Sequence, residues 1–413
     1  MKEGIDYLAN PNSVEKVVLL YSGGLDTSCM VKWIQEQYDA DVVTLTIDLG
    51  QPGVDLQKAK EKALDQGAES AFVIDAKEEF AKDYVSKAIK ANGLYQEKYP
   101  LSTAIARYLK CKKAVEVAKK VDADAIAHGA TGKGNDQVRF EAGIMSLDPD
   151  LKLLAPVRQW SMTRDKEIEY AEKHGIDVEA EKGSPYSTDE NLWGKSSECG
   201  PLEYPDKEPP GDVFQFVNLP EEAPEEPAEI SITFEEGVPT ALNGEEMQLH
   251  SLVEELNSIA GKHGVGIIDM MEDRVVGLKS REIYECPAAT AIIEAHKDLE
   301  KYVSTKHENS FKKYADKKWA EMAYSGLWFD PLMHHLNSLV DSMNSNVSGK
   351  VYLKLYKGSA QVIGRESEEG LYNHQLASYG EGETFNQEAS PGFIQLWSLQ
   401  TKMKGGEHGS LGD

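Results

Sequence analysis

The run Tyr21-Ser22-Gly23-Gly24-Leu25-Asp26-Thr27-Ser28 follows directly on the apolar stretch Val17-Val18-Leu19-Leu20. The β-branched apolar stretch predicts a buried strand, the glycine pair a tight turn, and TSCMVKWIQEQY from Thr27 onward a helix. A strand that turns through glycines onto a helix N-terminus is suited to hold phosphate. Glycines admit the anion close to the backbone, several N–H groups converge on it, and the helix dipole favours negative charge. Ser22, Thr27 and Ser28 add hydroxyl donors, and Asp26 is the candidate acid for a magnesium ion that bridges phosphates. This is not a Walker A loop, which sets four residues between its first glycine and Gly-Lys-Ser/Thr. Gly194-Lys195-Ser196 fails the same test, because Asp189 stands where the leading glycine belongs.

A second constellation, HGATGKGNDQVRFE, runs from His128 to Glu141. Asn135, Asp136 and Arg139 fall at the start of a helix, on neighbouring faces. An acid there can hold an ammonium, an arginine can grip a carboxylate bidentately, and an amide can bridge both. That is equipment for an amino acid. The same three residues would also suit a solvated, salt-bridged helix start.

The elements that must position these residues alternate in type. Val42 to Ile47 and Ala71 to Ile74 read as further strands, with helices over Leu56 to Gln66, up to Ile89, and Ala104 to Lys120. Ala125-Ile126-Ala127 is a short strand before the second glycine-rich loop. Such alternation predicts a parallel sheet with helices on both faces, whose ligands bind at the carboxyl ends of the strands. YSGGLDTS, TIDLGQ and HGATGKGN all sit at such ends. From about Gly183 proline- and acid-rich segments intervene. A strand (Glu229 to Phe234), a helix (Leu249 to His263), a strand pair around Gly266 to Leu278, helices from Ala288 to Met343 and an antiparallel pair (Val351 to Tyr356, Ala360 to Gly364) then predict an α+β second domain. SPGFIQLWSLQTKMK reads as an amphipathic helix capped by Ser390-Pro391. Its apolar stripe (Phe393, Ile394, Leu396, Trp397) is to be covered by its own domain or by a partner subunit, and the last residues read as a disordered end.

Composition narrows the class. The chain has 413 residues, 70 acidic against 44 basic, and a formal charge of −26. Such a surface repels phosphate backbones and anionic lipid, which argues against nucleic acid and membrane partners. Cys29, Cys111, Cys199 and Cys286 form no C-x-x-C pair, so neither a zinc cage nor a disulfide framework is indicated. MKEGIDYLANPNS is not a signal peptide, and no apolar run reaches membrane-spanning length. A soluble cytoplasmic protein is expected.

SGGLDTS resembles the loop of the ATP pyrophosphatases, which cleave ATP between its α and β phosphates. With TIDLGQ, YPLSTAIAR, SPYSTDENLWGKS, GKHGVGIIDMMEDRVVGLKSREIYE and GRESEEGLYN beside it, the chain resembles the argininosuccinate synthase family up to about Asn373. The resemblance implies an α/β fold: a parallel-sheet nucleotide-binding domain of the adenine nucleotide alpha hydrolase type (1–183), an α+β synthetase domain (184–375), and a C-terminal oligomerisation helix with its tail (376–413). It implies that citrulline and aspartate are joined with ATP through a citrullyl-adenylate, with AMP and pyrophosphate released. ATP would lie on Leu20, Tyr21, Ser22, Gly23, Gly24, Leu25, Asp26, Thr27 and Ser28, with Ile47 and Gly129, and magnesium nearby. Citrulline would touch Tyr99, Thr103, Ala104, Asn135, Arg139, Ser187, Ser196, Glu272 and Tyr284, with Arg139 on its carboxylate and Glu272 on its ammonium. Aspartate would be held by Thr131, Asn135 and Asp136, and a homotetramer is the family expectation. Ala104 stands where some members have serine, and Tyr108 where many have proline. Taken one at a time, Ser187 could instead cap a helix over STDEN, with Glu190 completing the box.

Rival readings share the pyrophosphatase loop. An amide-forming enzyme using glutamine would need a nucleophilic cysteine in suitable surroundings, and a tRNA-thiolating enzyme should be basic or carry paired cysteines. A silent ATP-binding scaffold would have been favoured by loss of Asp26, Asn135 or Arg139, and all three are present.

Overall fold

The computed structural model describes residues 7–11, 13–53, 55–160, 164–176, 185–378 and 384–405. The readings of residues 1–6, of the boundary at 183/184 and of residues 406–413 fall outside these. Two compact units emerge, 1–369 and 370–413.

The first unit begins with alternation, as expected. β1 (Lys16–Leu20), α1 (Leu25–Tyr38), β2 (Asp41–Asp48), α2 (Leu56–Asp65) and β3 (Ser70–Asp75) follow in turn. Next come α3 (Lys77–Phe80) and α4 (Ser86–Lys90), joined through a π-turn at Ala81–Val85. α5 (Ser102–Val121), β4 (Ala125–Ala127), α6 (Asp136–Leu147), β5 (Lys152–Leu154), α7 (Pro156–Gln159) and α8 (Arg164–Lys173) complete the series. The five strands form a parallel sheet in the order β3-β2-β1-β4-β5. β1 is central and Val17, Val18 and Leu19 are fully buried, with alternate residues serving opposite faces. Val18 packs into the cluster that holds Ile105 and Leu109 of α5, while Val17 and Leu19 pack with Met30, Val31 and Ile34 of α1. Burial on both faces is why these strands are continuous apolar runs.

Chain order reverses between β1 and β4. That is the point where a crevice opens at the carboxyl ends of the strands. The glycine loops after β1 and β4 therefore leave adjacent strands side by side, with the loop after β2 flanking them.

Beyond residue 185 the sheets are antiparallel. β6 (Ser187–Asn191) and β7 (Gly194–Glu198) form a hairpin. β8 (Ala228–Glu235), β9 (Val238–Leu242), β10 (Glu245–Glu246) and α9 (Leu249–Lys262) come next, then β11 (Ile267–Asp273), β12 (Lys279–Glu285), α10 (Pro287–Val303), α11 (Lys306–Tyr324), α12 (Pro331–Met343), β13 (Gly349–Tyr356) and β14 (Ser359–Glu366). They build a four-stranded sheet, β11-β12-β7-β6, and a five-stranded one, β10-β9-β8-β13-β14.

Three local expectations are corrected. Ser187 opens a strand rather than capping a helix. The partner of β11 begins only at Lys279, because residues 274–278 are the turn, closed by Arg274 N–H on the Leu278 carbonyl at 2.8 Å and by Gly277 at φ +85°. In the second unit, α13 (His374–Ala377) precedes α14 (Ser390–Trp397) and α15 (Leu399–Gly405), so the tail is two helices, and Ser390 lies inside the first without a capping bond. Phe393, Ile394, Leu396 and Trp397 are exposed.

Leu19 sits at the centre of the parallel sheet, so Leu19→Ala is expected to cost about 2–5 kcal/mol. Ile363→Ala on exposed β14 should stay within about 0.5 kcal/mol. Urea unfolding midpoints at unchanged m-value would check both.

Candidate active site

The loop after β1 is pinned on all sides. Tyr21 N–H donates to the Leu45 carbonyl at 2.9 Å, and its hydroxyl lies 3.0 Å from Ser28 Oγ. Ser22 Oγ and Thr27 Oγ1 are 3.1 Å apart, and Lys62 of α2 donates to the Gly23 carbonyl at 2.9 Å. Gly23 has φ +83°, a left-handed turn that a Cβ would strain, and an added Cβ would lie 3.3 Å from that of Ala59. Gly24 precedes α1 in an extended conformation and gives the helix no side-chain cap.

The loop after β4 is gripped from two directions. Ala130 N–H donates to His128 Nδ1 at 3.2 Å, which leaves Nε2 of this buried ring to donate to Glu141 at 3.2 Å. From the antiparallel sheet, Arg274 donates to the Lys133 carbonyl at 3.2 Å and Val275 N–H to Asn135 Oδ1 at 2.8 Å. Asn135 in turn donates to the Tyr324 hydroxyl at 2.8 Å and to Glu272 at 3.4 Å.

The four-stranded sheet presents one face to this space. Strand alternation puts Glu282 with Tyr284 and Ser196 with Glu198 on that face. Tyr284 is in register with Ser196, and Ser196 with Asp189, in a row across three strands. Glu272 is buried and accepts from the hydroxyls of Tyr284 (2.6 Å) and Tyr324 (2.7 Å). The Tyr99 ring stacks on Tyr284 with centroids 3.9 Å apart, and Tyr95 stacks on Tyr324 at 3.5 Å. Burial pushes the phenols of Tyr99, Tyr284 and Tyr324 well above their usual range, so all three remain donors at neutral pH.

Three arginines organise the charge. Arg107 of α5 reaches Asp136 at 2.7 Å and Asp189 at 2.5 Å. Arg139 holds Asp136 at 2.9 Å, donates through Nε to the Tyr324 carbonyl at 2.9 Å, and lies over the Tyr324 ring at 4.8 Å. Burial alone would raise Asp136, but the two guanidiniums hold its carboxyl well below the usual carboxylate range. Arg274 pairs with Glu198 and, at 2.8 Å, with Glu282. Burial and then the nearby Glu198 and Glu272 push Glu282 up to about 8.

Together these elements line a cavity of about 540 Å³. From the first glycine loop and its surroundings, Leu20, Tyr21, Ser22, Asp26, Thr27, Ile47 and Gly129 line it. So do Tyr99, Thr103, Thr131, Asn135, Asp136 and Arg139, with Ser187, Ser196, Glu272 and Tyr284 from the antiparallel sheet. Gly23 and Gly24 belong to the loop without lining the wall. Leu25 packs with Ala171 and Ile176, Ser28 is buried behind Tyr21, and Ala104 is buried with its N–H on the Tyr99 hydroxyl at 3.3 Å. Their side chains stand away from the cavity. The forked grip expected of Arg139 is also modified. Nε and Nη1 are engaged, and buried Nη2 alone has no partner, so a carboxylate meets one nitrogen rather than two.

Sequence reasoning missed Arg107, Lys110, Asp189, Glu198, Arg274 and Glu282, which line the same wall. A usable signal existed for most. Arg107 and Lys110 follow Thr103 at helical spacing, and Asp189, Glu198 and Glu282 lie two residues from Ser187, Ser196 and Tyr284 on strands. Tyr324 carries no such signal.

Comparison with known proteins follows this division. The family model "Arginosuccinate synthase N-terminal HUP domain" matches residues 16–177, and "Arginosuccinate synthase C-terminal domain" matches 186–404. Argininosuccinate synthase of Rubrobacter xylanophilus is 54% identical over 388 residues, covering 94% of each chain. The chain belongs to the argininosuccinate synthase family. The enzymes of that name from Oceanobacillus iheyensis (51% identical; 96% of this chain, 95% of that one) and Pyrococcus furiosus (53%; 94% and 93%) are similarly close. Tyr108 lies two turns into α5, which starts upstream at Ser102. It is fully buried, donates to the Ala323 carbonyl, accepts from Gly326 N–H at 3.1 Å and stacks on Trp328.

The raised Glu282 carboxyl gives a signed expectation. Below about pH 4.5 it is protonated in both folded and unfolded chains and adds no slope. Between about 4.5 and 8 the folded chain keeps a proton that the unfolded chain has lost, so stability falls as pH rises, levelling above 8. Glu282→Gln should remove that part of the slope, read from urea midpoints between pH 5 and 9.

Proposed function

We propose that this chain condenses L-citrulline with L-aspartate, using ATP, to form argininosuccinate with release of AMP and pyrophosphate. One observation carries the reading. A chain of the argininosuccinate synthase family brings an anion-receiving turn, the amino-acid equipment of α6 and an acid-and-tyrosine sheet face to one cavity. The ureido oxygen of citrulline attacks the α-phosphate of ATP and pyrophosphate leaves, giving a citrullyl-adenylate. The aspartate amine then displaces AMP. Orientation and charge neutralisation do most of such work, so the wall needs fixed donors more than a strong base.

ATP is assigned to the turn from Leu20 to Ser28, where backbone N–H groups and the hydroxyls of Ser22 and Thr27 suit its phosphates. Ile47 and Gly129 suit its nucleoside end. Citrulline is assigned to Tyr99, Thr103, Asn135, Arg139, Ser187, Ser196, Glu272 and Tyr284. Arg139 Nη2 takes its carboxylate. Glu272 keeps lone pairs for its ammonium beyond those used by the tyrosines. Aspartate is assigned to Thr131, Asn135 and Asp136. Its amine must lose a proton before attack, and Asp136, held ionised by two guanidiniums, suits holding the ammonium rather than taking that proton.

Magnesium fits the donor set. The ion keeps several waters and takes one or two carboxylates with phosphate oxygens rather than a protein cage. Asp26 in the first turn of α1, beside Ser22 and Thr27, would hold it, and its charge would ease the departure of pyrophosphate. The reading includes a cytoplasmic enzyme with no nucleic-acid partner, divided at 1–183, 184–375 and 376–413. It also includes a homotetramer, for which the exposed apolar face of α14 is suited. Among the described residues no helix is long and apolar enough to cross a membrane.

The direct test is pyrophosphate release from purified protein with ATP and magnesium, omitting each amino acid in turn. Release that requires citrulline, with AMP and argininosuccinate accumulating only once aspartate is added, is expected. No release with both present would overturn the reading. Arg139→Ala is expected to raise the citrulline KM by about a hundredfold while the ATP KM stays within about threefold. The reverse pattern would remove Arg139 from the citrulline site.

A further inference from the structure

Lys110 is a cation that the assignments above leave without a task. It lies on the stripe of α5 formed by Thr103, Arg107 and Lys110, residues i, i+4 and i+7, all of which line the cavity. Seven carboxyl side chains line that cavity against four from lysine and arginine. Each arginine already pairs with a carboxylate: Arg107 with Asp136 and Asp189, Arg139 with Asp136, and Arg274 with Glu198 and Glu282, and the unpartnered Nη2 of Arg139 is the nitrogen assigned to citrulline. Among the described residues Lys110 makes no ion pair. An ammonium half out of water with no partner is unfavourable by itself. An anion arriving in an acid-rich cavity needs an uncommitted positive charge.

We propose that Lys110 binds a carboxylate of the aspartate substrate. This rests on the reading of the cavity as a citrulline–aspartate site. Aspartate is favoured over an ATP phosphate by the company Lys110 keeps. One helical turn before it on the same stripe, Arg107 bonds Asp136, the acid assigned to aspartate, at 2.7 Å and Asp189 at 2.5 Å, and neither acid belongs to the phosphate turn. Burial, with Arg107 beside it, lowers the ammonium to about 8, as befits a charge still lacking its counter-ion.

Steady-state pyrophosphate release by wild type, Lys110→Met and Lys110→Arg tests this. For Lys110→Met, the aspartate KM should rise about tenfold or more, with the ATP and citrulline KM values within about twofold. Lys110→Arg should recover most of the loss. The Tm of Lys110→Met should not fall, because an unpaired ammonium gives way to an apolar chain of similar length. An unchanged aspartate KM, or a rise confined to ATP, overturns the proposal. A uniform loss of activity with a lower Tm would make Lys110 a structural residue and overturns it too. Calorimetric titration of aspartate into wild type and Lys110→Met reads the same contact without turnover. Absence of catalysis in the wild type would sink the proposed function, while Lys110 would still be judged by whether the substitution weakens aspartate affinity.

Discussion

The carboxylate of Asp136, set between two guanidiniums, is the interaction that holds the cavity in shape. Arg107 brings α5 to it, Arg139 ties it to its own helix and to the end of α11, and Arg107's second bond reaches Asp189 on the antiparallel sheet. α5 and α6 thus meet on one anion, and the two arginines extend the junction to α11 and to the antiparallel sheet. Removing one member of such a group would leave an uncompensated buried charge, a penalty of several kcal/mol, whereas the intact group mostly balances its own desolvation. Its value is geometric. The junction helps to hold the strands bearing Tyr284 and Ser196 against the cavity, together with the Val275 N–H on Asn135 and the Trp193 indole on the Pro100 carbonyl.

Glu272 repeats the device with neutral donors. Tyr284 comes from β12, Tyr324 from α11 and Asn135 from the start of α6, and each gives a hydrogen bond to the same side chain. Stacked tyrosine rings fill the space behind them. Rigid rings with few rotatable bonds suit a wall that must be ready before a ligand arrives.

Much of this was legible in the residues. Val17 to Leu20 followed by two glycines signals a strand and a tight turn by local rules alone, and the spacing of Asn135-Asp136-x-x-Arg139 signals a polar cluster at a helix start, which the structure sets on the cavity wall. Ser187 shows where local rules lose. Ser187 and Glu190 satisfy the spacing of a helix cap, yet the segment is a strand. Trp193, fully buried in the hairpin turn, donates to the Pro100 carbonyl at 2.9 Å, and Asn191 donates to the Ser102 carbonyl at 3.0 Å. That tertiary anchoring outweighs about 1 kcal/mol of capping. It is the strand that sets Asp189 on the same face as Ser187, on the cavity wall. Tyr324 was beyond reach, since it ends a helix nearly two hundred residues from Asn135 and meets it only through packing.

The committed arginines have a kinetic consequence. With its arginines paired internally and its carboxyls in excess, on a chain of formal charge −26, the cavity is expected to repel anions at a distance and to receive them only on contact. Dissolved salt shortens the reach of that repulsion to about 10 Å or less at 0.1 M and above. Capture of free ATP or aspartate should therefore quicken as ionic strength rises, opposite to enzymes that steer anions with a basic funnel, and stopped-flow association rates that slow with salt would contradict it. Such an active site would work best in a crowded ionic medium and least well in dilute buffer.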